Sequence, residues 1–123
     1  MPIEKDVKKI LENMREDEPR IFVAVVFSFD SGTFAYYAPS EEWDLDYISQ
    51  SSAAVQGAAE KFCQKLVGAK PGLLEMKTAQ GWIVLKNIND KYGLLGLAQE
   101  GARLAVIHHT MDEAVMELGK ILK

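Results

Sequence analysis

One cysteine, two histidines and four prolines are all that 123 residues hold of those types, and no long apolar run interrupts them. Each scarcity closes off a class of protein. A lone cysteine, Cys63, cannot form an internal disulfide, so no bridge braces the fold, which fits a reducing compartment. His108 and His109 stand side by side, about 100° apart on a helix. Without a spaced third ligand they make a poor metal site. Apolar stretches stay well short of the roughly 20 residues that a membrane span needs. The opening Met1-Pro2-Ile3-Glu4-Lys5-Asp6 turns charged at once, unlike a signal peptide, so a cytoplasmic chain without membrane insertion is expected. Basic charge is in deficit, with 14 Lys and Arg against 18 Asp and Glu and a net charge of −4. Nucleic acid is therefore not an expected partner, because counterion release needs several cations on one surface.

Catalytic patterns are also missing. Gly68-Ala69-Lys70-Pro71-Gly72 has neither the spacing of a phosphate-cradling loop nor a Ser or Thr after its lysine, and no G-x-G-x-x-G occurs. Asp44 and Asp46 are two apart and diverge on a helix, so they do not form a carboxylate pair. Cys63 beside Phe62 on an amphipathic helix reads as packing, and Trp82 at the head of an apolar strand reads as core. An enzyme would have to assemble distant polar residues such as Glu75, Lys77, His108 and His109. No catalytic residue, cofactor or metal is expected.

What remains is ordinary globular material: 48% apolar and 26% charged residues. A chain of this length makes one domain, residues 1–123, and buries about two-thirds of its unfolded surface. Val7, Ile10, Leu11 and Met14 recur at helical spacing and predict a helix over Glu4 to Arg15, closed by Pro19. Arg20 to Phe29 is β-branched and aromatic on both faces, as in a central strand covered on two sides. Asp30-Ser31-Gly32 turns the chain into a returning strand, Thr33 to Ala38. A long helix follows from Leu45 to Val67, capped by Asp44, stapled by Trp43 against Ile48, and ended by Gly68 and Pro71. Leu73 to Thr78 alternates, with Leu74 and Met76 on one side, and reads as a half-exposed edge strand. Two short turns then make a three-stranded meander with Trp82 to Ile88 and Tyr92 to Ala98. A helical stripe runs from Arg103 to the C-terminus. Thr110-Met111-Asp112-Glu113 also reads as a capping box, which would leave Leu104 to His108 as a strand. The unbroken stripe favours the longer helix.

The long helix carries two lines of residues. Leu45, Ile48, Ser52, Val55, Ala59, Phe62 and Leu66 form an apolar stripe expected to lie on the sheet. A quarter-turn away run Tyr47, Ser51, Ala54, Ala58, Lys61 and Lys65, with Gly57 beside them. Glycine inside a helix costs roughly 1 kcal/mol relative to alanine. Close approach of another backbone offsets that cost, either from an element of the same chain or from a second copy across a two-fold axis. The unpaired edge at Leu74 and Met76 favours the second copy.

The order helix, two strands, long helix, three strands, helix resembles the roadblock domains, which include roadblock-type dynein light chains and prokaryotic regulators of Ras-like GTPases. The run Gly93-Leu94-Leu95-Gly96-Leu97-Ala98, then Ala102-Arg103-Leu104-Ala105-Val106-Ile107 and the helix beyond, is similar to that family's C-terminal pattern. Ala105 stands where glycine is common. The likeness covers nearly the whole chain through apolar patterns, with no diagnostic polar signature. It implies an α/β fold of layered α+β type: a five-stranded antiparallel sheet in order 2-1-5-4-3, with the long helix on one face and the terminal helices on the other. It also implies that two copies pair their third strands and set their long helices side by side, at Leu73 to Thr78 and at Ser51, Ala54, Gly57 and Ala58. The implied role is a non-catalytic dimeric scaffold or regulator of a small Ras-like GTPase. The competing reading is a monomeric, profilin-like sensor of a small molecule.

Overall fold

The apolar run at residues 21–28 is strand β1 (Ile21–Ser28), and it is covered on both faces. Ala24 and Val26 belong to one core cluster and Val23, Val25 and Phe27 to a second. The remaining elements of this computed structural model, which describes residues 2–123, are α1 (Pro2–Asp17), β2 (Gly32–Tyr37), α2 (Leu45–Val67), β3 (Leu73–Thr78), β4 (Gly81–Asn87), β5 (Tyr92–Gln99) and α3 (Leu104–Ile121). Met1, the first residue of the opening segment read above, lies outside the described residues. The five strands form one antiparallel sheet in the order β2-β1-β5-β4-β3, so β2 and β3 are its edges. This is an α+β fold.

Helices α1 and α3 pack together on one face, and α2 lies on the other against β1 and β2. On the first face, Val7, Leu11 and Met14 of α1 and Ile107, Met111, Ala114 and Leu118 of α3 are buried on Ala24, Val26, Val84 and Leu94. That continuous stripe makes α3 a helix from Leu104 onward. Thr110 is buried in its middle and starts nothing, and Arg103 precedes the first turn without a side-chain cap. A register shift between Ile21 and Val23 turns Phe22 as well as Val23 toward the α2 side, where the Phe22 ring meets Trp43 edge-on at 6.0 Å.

Two glycines in β5 make both faces close. Gly93 pairs with Phe27, whose ring lies over it, and Gly96 lies under Met111 of α3. A Cβ added at Gly93 would sit 2.6 Å from the buried Phe27 ring, and one at Gly96 would sit 2.8 Å from the Met111 sulfur. A ring packed in a core cannot yield, whereas a thioether chain can re-pack. Gly93→Ala is therefore expected to cost about 1–3 kcal/mol of unfolding free energy, the usual range for overpacking. Gly96→Ala should cost less, and urea unfolding of the two variants gives the comparison.

Candidate functional site

Helix α2 is seated by polar contacts. Asp44 Oδ1 accepts the Tyr47 N–H at 3.1 Å, and Gly68 closes the helix at φ 70° with its N–H donating to Gln64 O. Between these ends the buried positions are Ser49, Ser52 and Gln56. Thr33 of β2 lies 2.6 Å from Ser49 Oγ and donates to the Leu45 carbonyl at 3.1 Å, and Gln56 Nε2 donates to Asn87 Oδ1 at 2.8 Å. Leu45, Ile48 and Ala53 flank this seam, packed on Val23, Val25 and Phe27.

The expectation that the whole apolar stripe lies on the sheet is corrected here. Its N-terminal members do pack, but Val55, Phe62 and Leu66 are 42%, 66% and 64% exposed. At 100° per residue the direction through Ser49, Ser52 and Gln56 is about a quarter-turn or more from that through Val55 and Phe62. The seam therefore faces the sheet and rolls the apolar residues onto the flank. From Lys61 to Lys70 every residue except the half-buried Cys63 is exposed, so the C-terminal third of α2 leaves its own sheet.

The flank faces strand β3. Because α2 covers β1 and β2, the outer part of the sheet on that side has no full roof. Tyr47, Ser51 and Val55 of α2 and Met76, Ile83 and Leu97 of the sheet line an apolar groove of about 260 Å³. Leu85 and Leu95 also line it, and Leu74 packs against their cluster. Met76 and Leu73 are 41% and 37% exposed on the free edge.

Of the sequence-derived interface residues, Tyr47, Ser51 and Met76 line this groove, and Leu74 packs against the cluster to which its lining residues Leu85 and Leu95 belong. Ala54, Ala58, Lys61 and Lys65 are exposed along the helix beside it. Gly57 lies elsewhere. It is two residues past Val55, about 200° round the helix, and a Cβ there would meet no atom within 4 Å. Its small size thus serves no contact among the described residues. Sequence reasoning missed Val55, Phe62 and Leu66 as surface residues, because their spacing looks the same whether a sheet or a partner covers them. The signal that could have found them was the line of Ser49, Ser52 and Gln56, a polar seam answering Thr33 and Asn87.

Of the distant polar residues, only Glu75 and His108 meet. His108 Nε2 lies 2.9 Å from Glu75 Oε2, while His109 pairs with Glu113 on its own helix at 2.7 Å. Lys77 Nζ donates to the Thr78 carbonyl and lies 5.6 Å from the Trp82 ring centroid. Among the described residues there is no group of three or more His, Cys, Asp or Glu that could hold a metal ion, and no helix long and apolar enough to cross a membrane. The acidic Glu41, Glu42, Asp44 and Asp46 are exposed at the start of α2, and Lys61, Lys65 and Lys70 at its end.

This layering, with its sheet order and bare third strand, is the roadblock fold. Among solved structures, MglB of Myxococcus xanthus superposes with a TM-score of 0.89 at 11% identity, over 96% of this chain and 88% of that one. The gliding protein MglB of Thermus thermophilus gives 0.88 at 14% identity, over 98% and 91%. A Roadblock/LC7 domain of Streptomyces avermitilis gives 0.86 at 14% identity, over 95% and 98%. No family model and no curated protein matches the sequence. At such identities the likeness establishes the fold alone.

On the opposite face, Lys86 of β4 is 6% exposed and holds Asp112 of α3 at 2.6 Å. Asp112→Ala strands a buried ammonium, whereas Lys86→Met removes the charge and keeps the chain's bulk. We expect Asp112→Ala to cost about 1–3 kcal/mol, below the ~3–5 of a fully buried pair because Asp112 is largely solvated. Lys86→Met should stay within about 1 kcal/mol by the same reasoning. Denaturant titration reports both, and the reverse order would contradict the assignment.

Proposed function

We propose that the chain is a non-catalytic, homodimeric protein-binding module of the cytoplasm that regulates or scaffolds a small Ras-like GTPase. The observation that carries this reading is the apolar flank of α2 beside a bare edge strand. Tyr47, Ser51, Val55, Ala58 and Phe62, with Leu74 and Met76, form a surface that the chain builds and does not cover. Exposed apolar surface of this extent on a small domain marks a protein contact, and an unpaired strand supplies a second element that a twin can satisfy. Ala54, Lys61 and Lys65 border the surface, and Gly57 lies further round the helix beside Ala54. The roadblock fold points to the GTPase as partner through what its members do.

Light scattering on a sizing column tests both parts. The expected mass is twice 13.7 kDa, with a further shift when a candidate small GTPase is added in its GDP or GTP-analogue state. Val55→Asp should halve the mass while leaving the circular dichroism spectrum intact, since Val55 is already 42% exposed. A wild-type monomer that meets no GTPase, and whose melting temperature rises with a metabolite, would support the sensor reading instead.

A further inference from the structure

We infer that the C-terminal end of α2 is a contact site for an anionic lipid surface. Lys61, Lys65 and Lys70 engage the headgroup phosphates, and the apolar tip at Leu66, Val67 and Ala69 rests in the headgroup layer. This goes beyond the reading above. The α2 residues of the protein-binding surface end at Phe62, and the lipid contact lies past them. It needs neither the groove nor a GTPase.

The charge at this end is of one sign. Residues 61–74 hold three lysines and no carboxylate, in a chain whose net charge is −4. Lys61 and Lys65 share one line of the helix, roughly opposite the buried seam of Ser49, Ser52 and Gln56, so they point away from the sheet. Gly68, at φ 70°, turns the chain out of the helix, and Lys70 comes back beside the same line. Lys61, Lys65 and Lys70 then border one hollow of about 410 Å³, whose wall Glu60 and Gln64 complete. Three cations against the single carboxylate of Glu60 leave the hollow positive. Among the described residues none of the three lysines is in an ion pair. Their methylene stems line the hollow while their heads stay in water, as lysines do at a bilayer surface.

The apolar tip selects lipid over other anions. Leu66 and Val67 are 64% and 75% exposed at the end of the helix, and Ala69 is exposed in the turn after it. A nucleic acid or a free phosphate uses the lysines and leaves those side chains in water. The tip is convex, so it offers a protein partner no apolar pocket to fill. A bilayer surface yields around a projecting tip, taking apolar groups at the acyl boundary and cations among the phosphates. Lys61 lies only about 9 Å along the helix axis from Val67. That is inside the roughly 10 Å over which ordinary salt lets charges act. The acidic residues Glu41, Glu42, Asp44 and Asp46 sit at the far end of α2, about 30 Å away. They are repelled by the same surface, which fixes the C-terminal end as the one that approaches.

Co-sedimentation of the full chain with vesicles makes the test. Vesicles of equal parts phosphatidylglycerol and phosphatidylcholine should bring the protein down, and phosphatidylcholine alone should not. Binding should fall as salt rises. Lys61→Gln, Lys65→Gln and Lys70→Gln should each weaken it about fivefold, and all three together about a hundredfold. Val67→Ser should weaken it about fivefold through lost apolar contact. Each variant should keep the wild-type circular dichroism spectrum and the wild-type mass on a sizing column, since every position changed is exposed. A wild-type chain that ignores the anionic vesicles, or binds both compositions alike, would overturn the inference. So would a triple variant of altered mass, because its lysines then belong to a contact between copies. A Val67→Ser chain that binds vesicles undiminished, or a DNA duplex held as tightly as the vesicles, reduces the site to a cation patch and removes lipid as its partner. None of these outcomes bears on the GTPase, which the sizing column with added GTPase tests separately.

Discussion

The seat of α2 on the sheet governs what the rest of the molecule can do. Ser49 against Thr33 and Gln56 against Asn87 tie the helix down by hydrogen bonds where an amphipathic helix would ordinarily use apolar side chains. Buried polar groups that find partners hold a fixed orientation, because rotating the helix would strand each of them without a bond. The roll of α2 about its own axis is thereby set. Val55, Phe62 and Leu66 are held sideways, toward the β3 side, with no element among the described residues to cover them.

The two faces of the sheet consequently differ in character. Beneath α1 and α3 the core is closed: Leu11, Ile107, Met111 and Leu118 are essentially inaccessible, and Gly96 admits Met111 to the sheet surface. Tyr37, buried on this side, donates its hydroxyl to the Ile21 carbonyl at 2.8 Å, and burial pushes the phenol far above its ordinary range. This face supplies stability. The α2 face has a smaller cluster around Phe27, Leu85 and Leu95 that opens into the groove at Met76 and Ile83. The surface proposed for partner binding therefore lies on the α2 side, where burial within one chain is incomplete.

Most elements were legible in the sequence because they rest on strong local signals. The caps at Asp44 and Gly68 bound α2 at the residues expected, and the alternation at Leu73–Thr78 marked β3 as an edge. The ambiguous segment before Thr110 resolved as helix because its apolar stripe meets α1 and the sheet without a break, and that tertiary coverage outweighs a local capping pattern. What periodicity could not supply was the direction of α2. Val55, Phe62 and Leu66 have the spacing of a buried stripe, and only the polar partners Thr33 and Asn87, distant in sequence, show which way the helix faces. Gly57 shows the same limit of periodicity. It stands out in a helix as a sequence feature, yet its angle places it away from the groove that Tyr47, Ser51 and Val55 line.

In the proposed dimer, a twin at the bare β3 edge covers the apolar flank that the polar seam turns outward. Hydrogen exchange of the β3 backbone amides measures this most directly. With a second copy paired there, the amides of residues 73–78 should be protected to a degree that rises with protein concentration, together with those at the C-terminal end of α2. Exchange of β3 at the rate of an open edge, unchanged from dilute to concentrated protein, would contradict it.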